Sequence, residues 1–421
     1  MKSILIVLAF LLTSDSYSQN YWIPTGTMST GNNDFVYSIT SSPEGELYAS
    51  SWAVGVYKSS NGTNWNFSGL SGKRVSYLTV APNGDVYGLS ITQSFSYIHR
   101  STDRGATWED VYTGSFPLNY AGGGSIVFPS DGSIVAAFAV TVGPSIGDVS
   151  TFVFKSTNNG SNWVQTQRID LGFVGGMVIA ADGKILLGTS LGGVAYSTNN
   201  GNTFLGLSSF PSIFIKTIVK APDNTIYVSD AFGLNRSTDN GNTFENAGGQ
   251  NSTAFLRSAG VNSDGDLFIS MDDKKVFRSK DRGGSWTQVN NGLPATVYPY
   301  SFTTMHGIMY AGTNNLGAFY FVSPTGINSQ TEVADDFRLY QNFPNPFNPK
   351  TVINYELKVS GHVDLKIYDS AGNEVATLLS GEENAGLHSV IFNGSDLASG
   401  IYYYRMNANG ESGTRSMILL K

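Results

Sequence analysis

Ser101-Thr102-Asp103-Arg104-Gly105-Ala106-Thr107-Trp108 decides the fold, because it is one of a series. Degenerate copies run Ser156-Thr157-Asn158-Asn159-Gly160-Ser161-Asn162-Trp163, then Ser197 to Phe204, Ser237 to Phe244 and Ser279 to Trp286, with a shortened copy from Ser59 to Trp65. Their starts lie 42, 55, 41, 40 and 42 residues apart, which is the length of one four-stranded propeller blade. The pattern S-x-D-x-G-x-T-W supplies a tight turn followed by an aromatic wedge between blades. The turn positions are Ser101, Asp103, Gly105, Gly160, Gly201, Asp239, Gly241, Asp281 and Gly283; the wedges are Trp108, Trp163, Phe204, Phe244 and Trp286. All are read as structural.

A second signature precedes each box. Pro43-Glu44-Gly45-Glu46-Leu47-Tyr48 returns as Pro82-Asn83-Gly84-Asp85-Val86-Tyr87, and again around Gly132, Gly183, Asn224, Gly265 and Gly307. Turn residues flanked by β-formers mark hairpins between the first two strands of a blade. Seven hairpins accompany only six boxes. The segment after Gly307 supplies three strands, and Tyr21-Trp22-Ile23-Pro24 resembles the stretch that follows a box. Residues near 21–26 are therefore expected to return as the outer strand of blade seven and close the ring. The expectation is an all-β chain: a seven-bladed β-propeller over 19–324, a linker over 325–336 and a small Ig-like β-sandwich over 337–421.

The bulk numbers agree. Of 421 residues, 41% are hydrophobic and 14% charged, enough for a substantial core and too little charge for long-range disorder. Aromatics at 13% and 48 glycines suit strands joined by tight turns. The net charge of −7 comes with scattered Lys and Arg, so no nucleic-acid surface is expected, since that needs clustered cations. The absence of cysteine excludes disulfides, thiolate nucleophiles and cysteine-ligated zinc. Lys2, the apolar run Ile4 to Leu12 and the small residues of Ser16-Tyr17-Ser18 predict a signal peptide over 1–18. No transmembrane segment is expected in the mature chain.

From Phe337 the sequence changes character. Gln341-Asn342-Phe343-Pro344-Asn345-Pro346-Phe347-Asn348-Pro349 is followed by the alternating Thr351-Val352-Ile353-Asn354-Tyr355, with further strands over Val363 to Tyr368, Glu374 to Leu379, His388 to Phe392 and Ile401 to Met406. The opening Q-N-F-P-N-P-F-N-P, the core I-Y-D-x-x-G-N-E-V, the strand L-x-S-G-I-Y-Y-Y-R and the terminal Met417 to Lys421 resemble a type A sorting domain of the type IX secretion system. The resemblance implies a Gram-negative bacterium. It implies a partner, the secretion machinery, engaged through 337–421. It also implies export across both membranes, with the domain often removed and the cargo released or held at the surface.

Adjacent strands of a blade alternate in direction. Loops entering the first strand and loops joining the second to the third therefore share one face, opposite the boxes. Counting back from the hairpin glycines places Phe173, Phe214 and Phe255 at one repeated position near the channel mouth, and Tyr37, Lys216 and Arg257 at another. The second-to-third loops add Trp52, Asp230, Phe232, Asp272, Asp273, Asn314 and Asn315, and blade three carries extra residues near Thr141 to Ser150. The candidate ligand contacts are Trp52, Phe173, Phe214, Lys216, Asp230, Phe232, Arg257 and Asp272.

The boxes resemble the Asp-box (BNR-like) repeats known from sialidases, but a sialidase needs an arginine cluster and a Tyr/Glu nucleophile pair. Here Trp22-Ile23-Pro24 has tryptophan where the Arg-Ile-Pro signature has arginine, and Arg100, Arg104, Arg236, Arg278 and Arg282 lie in or beside boxes. Arg74, Arg168 and Arg257 remain, on different blades. Asp230 and Asp272, from equivalent loops of adjacent blades, are the weak candidates for a glycosidase or lyase. Asp-box enzymes acting on xyloglucan, however, resemble two joined propellers. Single propellers of this class also resemble a protein-binding photosystem assembly factor. His99, His306, His362 and His388 read as isolated, so no metal site is expected, and no cofactor. The favoured function is an exported binding propeller with a glycan or protein ligand at its mouth.

Overall fold

The computed structural model describes residues 22–321 and 337–419, apart from 27, 29–34, 52–53, 92–94, 116–120, 143–147, 208–209, 211–213, 231–232, 249–254, 341, 343–346, 348 and 370–371. The signal peptide and linker read from the sequence lie outside the described residues, as do Trp52 and Phe232. Seven four-stranded antiparallel sheets follow one another. Their innermost strands touch in a closed ring, so the sheets are the blades of a propeller. Blades one to six span 36–69, 75–115, 121–169, 174–206, 218–246 and 256–288. Second strands such as Leu47–Ser51, Ile185–Thr189 and Leu267–Met271 are buried along their whole length. Both of their faces meet neighbouring blades, so they read as continuous apolar or small-residue runs.

Blade seven is built from both ends of the propeller. Pro299–Met305, Ile308–Thr313 and Ala318–Phe321 are completed by Trp22–Pro24 as the outer strand. Trp22 pairs with Phe321, and Pro24 with Phe319. The Trp22 indole is fully buried, donates to Val289 O at 2.8 Å, and packs against Phe321 and Phe268 at ring separations of 5.1 and 6.1 Å. Gly292 makes room for this strand: with φ +94, a Cβ there would lie 2.0 Å from Trp22 O.

The boxes form the turns between third and fourth strands. Ser101 Oγ donates to Asp103 Oδ1 and accepts from Gly105 N, while Asp103 accepts from Thr107 N and Thr107 Oγ1. The Thr107 bonds lead in holding the Asp103 carboxyl down to about 2. Both central turn positions have positive φ, at Arg104/Gly105, Asn159/Gly160, Asn200/Gly201, Asn240/Gly241 and Arg282/Gly283. That requirement explains the recurring Asn-Gly. The wedge indoles bond to backbone: Trp108 Nε1 donates to Ser68 O, Trp163 to Gly160 O and Trp286 to Ala247 O. Phe204 is buried between blades, and Phe244 packs on Phe210 at 4.8 Å.

The hairpins share the box face. His306 precedes Gly307 with φ +51 and is 8% exposed, its ring filling the space over Gly45 of blade one. Burial lowers its pKa to about 4. The unfolded chain takes up this proton near pH 6.5 and the folded chain only near 4, so stability falls as pH drops through that window. The loss amounts to about 3 kcal/mol. His306→Asn, which keeps a residue tolerant of positive φ, should flatten that part of the slope. Urea unfolding of both proteins at about pH 7 and about pH 5 checks it.

The C-terminal unit packs a sheet of Phe337–Leu339, Lys350–Leu357 and Gly386–Asn393 on one of Glu374–Glu383, Gly361–Tyr368, Gly400–Ala408 and Glu411–Leu419. Ile353, Tyr355, Val363, Leu365, Ile367, Tyr404 and Met406 form its core, in an Ig-like sandwich. The Tyr404 hydroxyl donates to Tyr340 O and accepts from Asn342 N, each at 2.7 Å, tying the proline-rich opening to the sandwich.

Candidate functional site

A repeated backbone irregularity places the rim residues. In six blades the register of the first strand shifts, at Val36/Ser38, Val75/Tyr77, Ala121/Gly124, Val174/Gly176, Leu256/Ser258 and Pro299/Ser301. A bulge leaves its extra residue unpaired and re-aims it. The skipped positions are Tyr37, Ser76, Gly122-Gly123, Gly175, Arg257 and Tyr300. In blade five the strand starts at Ile218, leaving Lys216 at the corresponding place. The rim is therefore lopsided, with tyrosine and arginine on blades six, seven and one and glycine on three and four. Gly175 is confined by blade five, since a Cβ there would sit 2.6 Å from Ile215 O.

On the substituted side the side chains interlock. The Arg257 guanidinium lies over Tyr298 at 4.6 Å and Tyr300 at 5.2 Å, and its Nη1 donates to the Tyr300 hydroxyl at 3.1 Å. Arg257 Nε stands 2.6 Å from Asp272 Oδ1. Tyr300 meets Phe35 at 4.6 Å and Tyr37 at 5.6 Å, and Phe35 meets Tyr37 at 4.7 Å. These rings are half-buried. Desolvation, then the hydrogen bond with Tyr298, pushes the Tyr300 pKa up to about 12, so the phenol stays protonated at neutral pH.

The other candidates divide. Phe214 and Phe255 are exposed at 46% and 55%. Phe214 adopts φ +65, unusual for a bulky residue and held by its N–H donating to Ser190 O. Lys216 is exposed beside it, whereas Phe173 packs against the core shared by blades three and four. Asp230 is the last residue of its strand, 6% exposed, and accepts from Asn235 Nδ2 at 3.0 Å. Asp272 stands one residue beyond the corresponding strand end and stays accessible. This single-residue offset separates them: one carboxylate is buried under an amide, the other held by Arg257. The arginines beside the boxes are engaged elsewhere, Arg100 with Asp85, Arg236 with Glu245, Arg278 with Asp266 and Arg282 with Asp223. Arg168 pairs with Asp170 on blade three.

Phe35, Tyr298 and Tyr300 stand outside the candidates drawn from the sequence, although the alternation Tyr298-Pro299-Tyr300 at the start of a blade is a visible signal. His99, isolated by its spacing along the sequence, is not isolated in the fold. His99 Nε2 lies 2.6 Å from Ser90 Oγ, and Nδ1 lies 2.5 Å from Asp110 Oδ1. With Ser90 1% and His99 0% exposed, no substrate reaches the hydroxyl, so the relay is a strut across three strands of blade two. Burial lowers the His99 pKa, with Asp110 opposing. Among the described residues, no cluster of three His, Asp or Glu could hold a metal ion, and no helix is long and apolar enough to cross a membrane.

Fold and C-terminal module together define an exported β-propeller carrying a sorting domain. The chain belongs to the family described as the DUF6242 beta propeller domain, which matches residues 9–235. Residues 341–420 match the secretion system C-terminal sorting domain, which directs the chain to the cell surface or beyond it. A xyloglucanase of Hypocrea jecorina (strain QM6a) is 28% identical over 246 residues, 54% of this chain and 27% of the relative, so the chain spans about a quarter of that protein. PorZ, a surface component of the type IX secretion system of Porphyromonas gingivalis, is similar in structure at TM-score 0.52 and 17% identity, covering 95% of this chain and 61% of PorZ. YCF48 from Cyanidioschyzon merolae is similar at TM-score 0.54 and 14% identity, covering 72% and 98%. At these identities the structural likeness concerns the fold alone.

Proposed function

We propose that the chain is an exported carbohydrate-binding propeller that recognises glycan at the rim of blades six, seven and one. The observation that carries this reading is the fixed platform of Phe35, Tyr37, Tyr298 and Tyr300 with Arg257 stacked on two of its rings. Sugar rings present CH faces that stack on aromatic surfaces, while neighbouring polar groups hold the hydroxyls. Here those groups are the Tyr300 phenol, Arg257 and Asp272. Because Tyr37, Arg257 and Tyr300 stand on strand bulges, with Phe35 and Tyr298 at the strand starts beside them, little ordering entropy is lost on binding. The burial of Asp230 and the ion pair of Asp272 favour binding over cleavage. The partial match to a xyloglucanase is compatible with a polysaccharide ligand. A signal peptide over 1–18 would bring the chain to the type IX machinery, which it engages through 337–421.

The test is a glycan array with the purified chain, followed by mass spectrometry of each hit. Binding without turnover is expected, weakened about tenfold in Tyr300→Ala, with thermal unfolding showing that the variant is still fully folded at the assay temperature. Turnover abolished by Asp272→Asn would replace this reading with a glycosidase. No glycan binding at all would leave a protein ligand as the reading to pursue.

A further inference from the structure

Among the described residues, the third strands of blades two and three reach further toward the mouth than those of blades one, four and five. Counted back from the box serine, the third strand begins at Gly55, Gly193 and Gly233 in blades one, four and five, but at Phe95 in blade two and Val149 in blade three. The two extra residues of blade two add roughly 7 Å of strand, hydrogen-bonded to an equally long outer strand from Glu109 to Ser115. Phe95, Tyr97 and His99 alternate on one face of this extension. Phe95 is 41% exposed and meets Tyr97 at 6.2 Å; Lys73 Nζ lies 4.1 Å above the Tyr97 ring; and Tyr97 stacks on His99 at 5.7 Å. The buried Ser90–His99–Asp110 relay anchors this face from below. It leaves Asp110 partly exposed, with Oδ2 3.9 Å from Lys73 Nζ.

A second aromatic surface with a carboxylate and an ammonium beside it thus stands on the blade next to the Phe35–Tyr37 platform. Its charges compensate one another, as do Arg257 with Asp272, Lys275 with Asp273 and Arg168 with Asp170 around the same mouth, which also carries Lys216 and Asp230, one charge of each sign. We propose that the mouth takes an extended, neutral polysaccharide chain. The chain is laid from the Arg257–Tyr300 platform to a second subsite formed by Phe95, Tyr97, Lys73 and Asp110. Two separated stacking surfaces reward a ligand long enough to occupy both. Paired charges give no net attraction to an acidic polymer. This rests on the glycan-binding reading and narrows it from a terminal sugar to a chain.

The experiment is calorimetric titration of the full chain with di- and hexasaccharides of cellulose, mannan, xylan and starch, and with oligogalacturonate. A neutral hexasaccharide should bind at least about tenfold more tightly than its disaccharide. Phe95→Ala should remove that gain while leaving disaccharide affinity unchanged. Lys73→Ala should act in the same direction, with thermal unfolding confirming that both variants fold. Raising the salt concentration should have little effect. Equal affinity for short and long ligands, or a Phe95→Ala variant that keeps the gain, overturns the second subsite while the glycan reading stands. Binding of oligogalacturonate alone, weakened by salt, overturns neutrality. If none of these saccharides binds, the glycan reading fails and this inference falls with it.

Discussion

Trp22→Ala is expected to cost the propeller about 4 kcal/mol, the scale of removing a buried tryptophan. The indole is fully buried among Phe268, Phe302 and Phe321, and its N–H bonds to Val289 O. It is the largest side chain of the three-residue strand Trp22–Pro24, which among the described residues is what pairs with the outer edge of Ala318–Phe321. Truncation therefore opens a cavity and loosens the seam that joins the two ends of the ring. Urea unfolding should show the loss, and limited proteolysis should show faster cutting near 308–321. A loss below about 1 kcal/mol would mean that the ring does not depend on this strand.

Arg278→Met is the second large effect. Arg278 Nε donates to Asp266 Oδ2 at 3.0 Å, its guanidinium lies 5.2 Å from the Phe321 ring, and Asp266 is only 7% exposed. Removing the cation leaves a buried carboxylate opposite a thioether, at a cost of about 3 to 5 kcal/mol. Replacing both partners, as Arg278→Met with Asp266→Leu, should recover most of it, because the penalty belongs to the unpaired charge. Equal destabilisation in the single and double variants would contradict that account. Arg100 with Asp85 in blade two repeats the arrangement.

These two sites show what could be read from the chain. The repeat was legible because each blade turn needs residues that accept positive φ, so Asn-Gly or Arg-Gly recurs at a fixed offset from a serine. Seven hairpins against six boxes then required a strand from elsewhere, and Trp22–Pro24 is that strand. The rim was less legible. Tyr37, Lys216 and Arg257 were found because a bulge recurs at a fixed distance before the hairpin. Tyr300 occupies the same place, but the blade-seven hairpin is a tighter turn, with Met305 paired to Ile308 where Ser41 pairs to Leu47 in blade one, so the same count from Gly307 falls on Pro299. Asp230 and Asp272 looked equivalent, and a one-residue offset at a strand end gave them opposite environments. The Ser90–His99–Asp110 contact spans three strands, so no spacing along the chain announces it.

The central claim is that ligand recognition occurs at the mouth, opposite the boxes. Hydrogen–deuterium exchange of the whole chain, with and without the tightest-binding oligosaccharide, tests this most directly. Slowed exchange at 35–37, 255–257 and 298–300, with none at the box turns 101–108 and 279–286, is the predicted result; protection at the box turns, or none anywhere on the rim, would contradict it.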